Sequence, residues 1–288
     1  MERALLFIND NAQEIILRAD RPLVIECADA RFYLTKNGVL TARYQTEDLL
    51  KSDLSDLLSV LKSVCAYSVY SHQNEMNRGY ITIKNGVRIG VCGTAVENEK
   101  GIVNIKDITT LSFRVASEII GCCHGVLDKI DPLRGILIFG PPCSGKTTII
   151  RDMARALSYS HKVSVIDGRN EISATFGGCC GFDVGMSDVL VGMNKGVGVI
   201  HALRSLSPDV IICDELGDKT DAELLCHTLR CGTAFIATIH AWDYDDLRSR
   251  RITSELLRTG AFRYAVCLDN RKHAGRIQEI RDLGDVRD

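Results

Sequence analysis

A single glycine-rich stretch constrains what this 288-residue chain can fold into more than any other part of it. The stretch fits the spacing G-x-x-x-x-G-K-[ST], in which backbone N–H groups and a lysine surround a phosphate. Its residues are Gly140, Pro141, Pro142, Cys143, Ser144, Gly145, Lys146, Thr147 and Thr148. Because a phosphate-binding loop joins a strand to a helix, the flanking residues decide how much the match means.

The flanking residues have the required character. Gly135–Phe139 is a short apolar run bounded by turn residues, and the apolar residues of Thr147–Leu157 recur with helical spacing. In such a unit the Lys146 ammonium reaches the β- and γ-phosphates of a nucleotide, and the Thr147 hydroxyl binds Mg²⁺. The alternative, a chance glycine turn before a surface lysine, leaves the strand and the helix unexplained. The sequence therefore predicts a nucleotide-binding (Walker A) loop.

A second motif follows another apolar run. Val210–Cys213 ends in Asp214 and Glu215, which is a Walker B pattern. Phosphoryl transfer needs charge neutralisation and a well-placed water, so Asp214 is predicted to hold Mg²⁺ and Glu215 to polarise the attacking water. The alternative is a helix start after a strand, where acidic residues are also common.

Polar residues follow two further predicted strands. Asp167 is predicted to give a further Mg²⁺ contact, and Arg169 and Glu171 to act in catalysis by neutralising phosphate charge and contacting metal or water. His240 and Thr238 are predicted to sense the γ-phosphate or to contact a neighbouring subunit. The alternatives are a polar loop at Asp167 and a structural histidine at His240. Other arginines are candidates for a role across a subunit interface: Arg88, Arg114, Arg204, Arg230, Arg248, Arg250 and Arg251.

The order of predicted elements gives two domains. Residues 126–288 alternate strands and helices, which predicts an α/β domain with a parallel sheet flanked by helices. Its predicted helices cover 147–157, about 220–229 and about 245–257. Residues 1–125 predict a smaller α+β domain with helices up to about residue 20 and from Thr46, and with hairpins around 36–38 and 85–86.

Composition sets limits on location and partners. The net charge is −2, which argues against nucleic acid as a partner, and no apolar run is long enough to cross a bilayer. The first residues lack the pattern of a signal peptide, so we expect a cytoplasmic protein that does not insert directly into a membrane. The 12 cysteines lack zinc-site spacing and are expected to be reduced.

Taken together, these motifs resemble those of a known family. Leu203–Asp218 is similar to the Walker B region of type II and type IV secretion ATPases, and Asp167–Glu171 and Thr238–His240 look like their aspartate and histidine boxes. The chain most resembles the stage III sporulation protein AA family of endospore-forming bacteria. This resemblance implies a RecA-like P-loop ATPase domain that binds ATP and Mg²⁺.

The chain departs from that family pattern at three positions. Cys143 replaces a glycine of the phosphate loop, Gly168 replaces the first glutamate of the acidic box, and Met186 lies near the place of an arginine. Since Asp167, Glu215 and the other acidic and histidine-box residues remain, we still expect hydrolysis.

Three functions remain open at this point. The resemblance implies an ATPase motor, self-associated in a hexameric ring, that couples hydrolysis to domain movement in a secretion-like channel complex. Such a ring attaches to membrane proteins of a sporulation channel, on the mother-cell side of the forespore envelope. The alternatives are a nucleic-acid-dependent RecA-like motor, which needs a basic groove, and a nucleotide-gated scaffold with little turnover.

Overall fold

The computed structural model describes residues 12–27, 30–45, 48–65, 73–77, 79–83, 87–99, 101–114, 118–217, 232–270 and 273–284. The chain divides into two compact units, Met1–Ser117 and Glu118–Asp288. Across the described part of the chain, no helix combines the length and apolar character needed to span a membrane.

The first unit is built on an antiparallel sheet. Its strands are β1 (Ala12–Arg18), β2 (Arg21–Pro22), β3 (Val24–Cys27), β4 (Arg31–Leu34), β5 (Leu40–Thr41), β6 (Lys51–Ser52), β7 (Tyr80–Thr82), β8 (Arg88–Asn98) and β9 (Gly101–Arg114). The described residues of this unit also form the helices α1 (Leu54–Val64) and α2 (Gln73–Met76). The main sheet has the order β5-β4-β3-β1-β9-β8-β7, and Leu57 and Leu61 of α1 share an apolar cluster with Ile81 and Leu111 of the sheet.

Two helix predictions in this unit are wrong. Ala12–Arg18 is a strand, because it pairs on one side with β3 and on the other with β9; residues 1–11 lie outside the described part. The second helix begins at Leu54 rather than near Thr46. Its start is fixed by Asp53, whose side chain accepts a hydrogen bond from the Asp56 backbone while the Asp56 side chain bonds back, a capping box.

The hairpin predictions have a mixed outcome. Strands β4 and β5 flank the predicted turn at 36–38, and β7 pairs with β8 as predicted. The turn at 85–86 lies outside the described residues. Strand β9 pairs with both β8 and β1, so it lies inside the sheet.

The second unit is an α/β sandwich. Its strands are β10 (Ile136–Gly140), β11 (Val163–Asp167), β12 (Asp188–Val191), β13 (Val210–Cys213), β14 (Ala234–His240), β15 (Tyr264–Leu268) and β16 (Ile277–Asp282). Its helices are α3 (His124–Leu127), α4 (Lys146–Leu157), α5 (Lys195–Ser205), α6 (Tyr244–Ser249) and α7 (Arg251–Arg258), with a 3₁₀ turn at Pro132–Arg134. The strand order is β12-β11-β13-β14-β10-β15-β16, and the pairs are parallel except β15 with β16.

Helices cover both faces of this sheet, as the sequence predicted. Successive residues of β10 point to opposite faces, so Ile138 joins an apolar cluster with Ile149 of α4, whereas Phe139 joins a second cluster with Val199 of α5. Strands buried on both faces read as continuous apolar runs, which is why the strands at β10, β11, β13 and β14 could be predicted from the sequence.

The predicted helices of this unit agree only in part with the structure. The predicted helix over 245–257 is two helices, α6 and α7, because Arg250 between them is extended. Strand β12 and helix α5 were not predicted, and the helix over 220–229 lies outside the described residues. Strands β10, β11, β13 and β14 end at one edge of the sheet, and the predicted site residues follow those ends.

Candidate functional site

The phosphate loop leaves β10 at Gly140 and enters α4 at Lys146. Gly145 precedes the helix with φ +90°, and a Cβ there would lie 2.8 Å from the Gly275 nitrogen, so both the backbone angle and the space favour glycine. Cys143 also has a left-handed φ, +62°, without being a glycine. Pro142 and Cys143 are exposed, whereas Ser144 is buried.

Lys146 points back into its own loop. Its ammonium donates to the carbonyl oxygens of Gly140 at 2.9 Å and Pro141 at 2.8 Å. Burial lowers the pKa of Lys146, while the charges of Glu215 and Asp214 act in the opposite direction. The lysine is therefore held by neutral acceptors that a phosphate, with its negative charge, can replace.

Asp214 lies beside the start of α4. Its Oδ1 accepts hydrogen bonds from Thr238 Oγ1 at 3.1 Å, from the Glu215 nitrogen at 2.9 Å and from Thr147 Oγ1 at 3.5 Å. Its Oδ2 is buried and has no hydrogen-bond partner. Burial and the charge of Glu171 raise the pKa of Asp214 to about 6.

Glu215 contacts the ends of two other strands. One carboxylate oxygen pairs with the Arg169 guanidinium, and the other lies 3.4 Å from Nε2 of His240. The second ring nitrogen of His240, Nδ1, lies 3.1 Å from Lys146 Nζ. Because an ammonium only donates, Nδ1 accepts and the proton sits on Nε2, facing Glu215.

Asp167 is fully buried and organises the loop that follows it. Its Oδ1 accepts a hydrogen bond from the Glu171 nitrogen at 2.8 Å, and its Oδ2 accepts from the nitrogens of Ile172 at 3.1 Å and Ser173 at 2.8 Å. The Ser173 hydroxyl donates to the same oxygen at 2.8 Å. These bonds fix Asp167 within the loop of residues 167–173, here called the acidic loop, and the charge of Asp167 contributes to the raised pKa of Asp214.

Arg151 was missed from the sequence, although it fixes the acidic loop. This buried arginine of α4 donates to the carbonyl oxygens of Ile172 and Glu171, both at 2.7 Å, and its guanidinium stacks 3.9 Å from the centre of the Phe182 ring. The helix that starts at the phosphate loop therefore also holds the loop of Glu171. An arginine five residues after Lys146 has no motif of its own, so its role depends on the fold.

Lys195 was the second omission. It is the first residue of α5, is 7% exposed, and its ammonium donates to the carbonyl oxygen of Glu215. Thr148, by contrast, was included in the predicted loop, but it lines a separate small cavity with Arg151 and Asp152.

A cleft of about 420 Å³ opens beside Glu215 and His240, and Arg250 and Thr253 are among its lining residues. Among the residues that the structure describes, no three His, Cys, Asp or Glu side chains cluster closely enough to hold a metal ion. Mg²⁺ at a nucleotide needs only one or two protein ligands, because phosphate oxygens and waters supply the others. A carboxylate and a hydroxyl, as at Asp214 and Thr147, are sufficient for this.

Comparison with known proteins shows which family this chain matches. The model of the family described as Sporulation stage III, protein AA matches residues 4–287. The chain is 29% identical over 279 residues to Stage III sporulation protein AA of Bacillus subtilis (strain 168), covering 94% of this chain and 86% of the relative.

Solved structures with a similar fold include two ATPase or motor proteins. The X-ray structure of the Legionella pneumophila ATPase DotB has a TM-score of 0.54 and 17% identity, and covers 93% of this chain and 75% of that chain. The pilus retraction motor PilT with bound ADP has a TM-score of 0.57 and 16% identity, and covers 92% of this chain and 76% of that chain. These likenesses confirm the predicted RecA-like P-loop fold.

Proposed function

The chain belongs to the Sporulation stage III, protein AA family, and from this premise we propose that it is an ATPase that acts in sporulation. The observation that carries the proposal is the contact network of Glu215. Its carboxylate meets Arg169 and His240, and His240 meets Lys146 of the phosphate loop. Three strand ends and the loop thereby bring together a carboxylate, a histidine and two cations, as hydrolysis of a phosphoanhydride requires.

Thr147 and Asp214 fit a magnesium ion. The buried Oδ2 of Asp214 lacks a partner, and Thr147 Oγ1 lies 3.5 Å from Oδ1 of the same carboxylate. When bound there with ATP, Mg²⁺ neutralises charge on the phosphate oxygens. Asp167 was predicted as a further ligand; its four hydrogen bonds to the following loop support a structural role, so we assign it the positioning of Glu171.

The remaining residues act on the phosphates and on water. The loop from Gly140 to Thr147 surrounds the phosphates, and Lys146 exchanges its carbonyl acceptors for phosphate oxygens. Glu215 orients the attacking water, with the Nε2 proton of His240 holding one of its oxygens. Arg169 neutralises charge that develops on the transferred group, and Glu171 contributes to the electrostatics around Asp214.

The proposal extends to the assembly and its partners. We propose a hexameric ring that couples hydrolysis to movement between its two units, and that contacts membrane proteins of a sporulation channel complex. In a sporulating cell this places it in the cytoplasm, at the mother-cell side of the forespore envelope. Membership of the family supports the sporulation role, and the likeness of fold to DotB and PilT is consistent with a motor.

A second candidate is a nucleotide-gated scaffold with little turnover. One observation favours it: Met186, near the position of a family arginine, is 77% exposed and brings no charge to a neighbouring subunit. A scaffold binds ATP and assembles, but it does not need the carboxylate of Glu215. The two candidates therefore differ in turnover and not in binding.

The test is ATP turnover per subunit at increasing protein concentration, with Lys146→Ala and, as a matched control, Lys129→Ala at an exposed position. The ATPase proposal predicts turnover that needs Mg²⁺, rises with concentration, vanishes in Lys146→Ala and persists in Lys129→Ala. ATP binding without turnover at any concentration favours the scaffold. Absence of ATP binding by the unmodified protein contradicts both, and turnover that depends on added single-stranded DNA favours a nucleic-acid motor.

A further inference from the structure

We infer that Lys195 is a positioning residue for Glu215, and this inference rests on the proposed ATPase function. Lys195 donates from its ammonium to the main-chain carbonyl oxygen of Glu215. It thus acts on the backbone that carries the carboxylate, while Arg169 and His240 act on the carboxylate itself.

The position of Lys195 is unusual for a lysine. The residue is 7% exposed, although lysine is rarely buried. It is also the first residue of α5, where the helix dipole opposes a positive charge. Neither burial nor helix formation therefore accounts for a lysine here, whereas the hydrogen bond to Glu215 does.

The other side of the same residue is fixed as well. The Glu215 nitrogen donates to Asp214 Oδ1 and to Thr238 Oγ1, both at 2.9 Å. The N–H and C=O of Glu215 are therefore each held by buried side chains. The direction of its Cα–Cβ bond is set on both sides, which a water-orienting carboxylate needs because its geometry must hold to about 0.5 Å.

Gly168 lies close to the residues that precede and begin α5. A Cβ at Gly168 would lie 3.1 Å from the Met193 carbonyl oxygen and 4.0 Å from Cγ of Lys195. The helix that carries Lys195 is also seated closely on the sheet, since a Cβ at Gly198 would lie 2.6 Å from Ile166. Lys195 therefore reaches Glu215 from a helix that is packed closely against the sheet.

This arrangement predicts an effect on chemistry that is separate from nucleotide binding. Lys195 contacts the backbone of Glu215, whereas the residues that bind phosphate lie at the start of α4 and in the loop before it. Loss of the ammonium should then leave ATP affinity unchanged and slow turnover. Because the two residues act as one unit, their effects should also fail to add.

The experiment compares Lys195→Gln and Lys195→Arg with Lys129→Gln as an exposed control. Each variant is tested for turnover, for binding of a fluorescent ATP analogue and for amide hydrogen exchange of a peptide covering residues 208–217. Lys195→Gln should lower kcat by about 10- to 100-fold at unchanged ATP affinity, and Lys195→Arg should restore part of the loss. Lys195→Gln should also speed amide exchange within residues 214–217. In the Glu215→Gln background, Lys195→Gln should slow turnover no further.

The outcomes separate this inference from the proposed function. Unchanged exchange and unchanged kcat in Lys195→Gln overturn the inference while the ATPase stands. Equal losses of kcat, ATP affinity and melting temperature also overturn it, because they indicate a general structural role. If the unmodified protein has no turnover, the ATPase proposal fails, and the exchange measurement alone then decides whether Lys195 holds Glu215.

Discussion

The Nδ1 atom of His240 lies 3.1 Å from the Nζ atom of Lys146, so the end of β14 touches the lysine of the phosphate loop. The same imidazole faces Glu215 through Nε2 at 3.4 Å. A group that draws Lys146 away from Nδ1 therefore changes the hydrogen bonding of the residue that holds Glu215. We therefore propose that His240 links occupation of the loop to the Glu215 carboxylate.

Replacing His240 should affect turnover more than binding. His240→Ala removes the contact with Glu215 and is expected to lower kcat by about 10- to 100-fold, since Lys146 keeps its carbonyl acceptors. His240→Gln keeps an N–H near Nε2 and should be less affected. The measurement is steady-state turnover with His201→Ala, an exposed histidine of α5, as control. Turnover of His240→Ala equal to that of the control would remove His240 from the site.

Asp214→Asn should stabilise the protein when Mg²⁺ is absent. Burial and the charges of Glu171 and Asp167 raise the pKa of Asp214 to about 6, from its ordinary 3.8, against the hydrogen bonds from Glu215 and Thr238. Ionisation of this carboxylate therefore destabilises the protein. The destabilisation is absent below about pH 4, grows as the pH rises and is complete above about pH 6. Asparagine keeps an acceptor for those bonds and removes the charge.

The expected gain at pH 7 is about 1–3 kcal/mol in the free energy of unfolding, shrinking toward zero near pH 4. Urea titrations in EDTA at both pH values measure it, and the same variant should lose Mg²⁺-dependent ATP binding. Lower stability of Asp214→Asn at pH 7 would contradict the description of Asp214 as a destabilised, metal-ready carboxylate.

The phosphate loop itself carries a local strain at Cys143. Its φ of +62° is a left-handed conformation that costs a non-glycine residue about 1–2 kcal/mol. Glycine avoids this strain, but it loses more conformational entropy on folding, which offsets part of the gain. Cys143→Gly should therefore raise stability by up to about 1 kcal/mol, whereas Cys143→Val should lower it by about 1–3 kcal/mol. Thermal unfolding of the three proteins gives the order, and a valine variant as stable as the glycine variant would contradict the conformation.

Asp152 anchors the start of α3 to α4. Burial disfavours its ionised form, but hydrogen bonds from Cys123 and Arg155 outweigh this and lower the pKa of Asp152 to about 2. Its stabilisation is therefore full above about pH 4 and is lost as the pH falls through about 2. Asp152→Asn should cost about 1–3 kcal/mol at pH 7, with less difference from the unmodified protein in acid. Asp188→Asn, at an exposed residue, is the control; equal stability of both variants at pH 7 would refute the anchor.

The sequence was informative where function is carried by short local patterns. The phosphate loop needs Gly145 and Lys146 at fixed spacing, and Asp214, Glu215 and His240 directly follow continuous apolar runs, so strand ends and site residues were found together. Parallel pairing then brings those ends to one edge of the sheet, as the structure shows.

Contacts that depend on packing were not accessible in the same way. The periodic leucines before Asp53 matched a helix, yet Leu50 lies in the chain paired with Leu34 and Leu23. Lys195 contacts Glu215 only because α5 lies beside the end of β13, and Arg151 contacts the acidic loop only because α4 lies against it. Asp167 was proposed as a metal ligand because it ends a predicted strand, but both of its oxygens accept hydrogen bonds from the following turn, which the sequence did not reveal.

The most direct measurement is the fate of ATP bound to Glu215→Gln. Radiolabelled ATP is mixed with excess protein and Mg²⁺, and bound ATP and ADP are followed over time for the unmodified protein, for Glu215→Gln and for Glu97→Gln as an exposed control. The account predicts that all three bind ATP, that the unmodified and control proteins convert it to ADP, and that Glu215→Gln retains it at least about 100-fold longer. Conversion by Glu215→Gln at the unmodified rate would contradict the assignment of Glu215 as the residue that orients water.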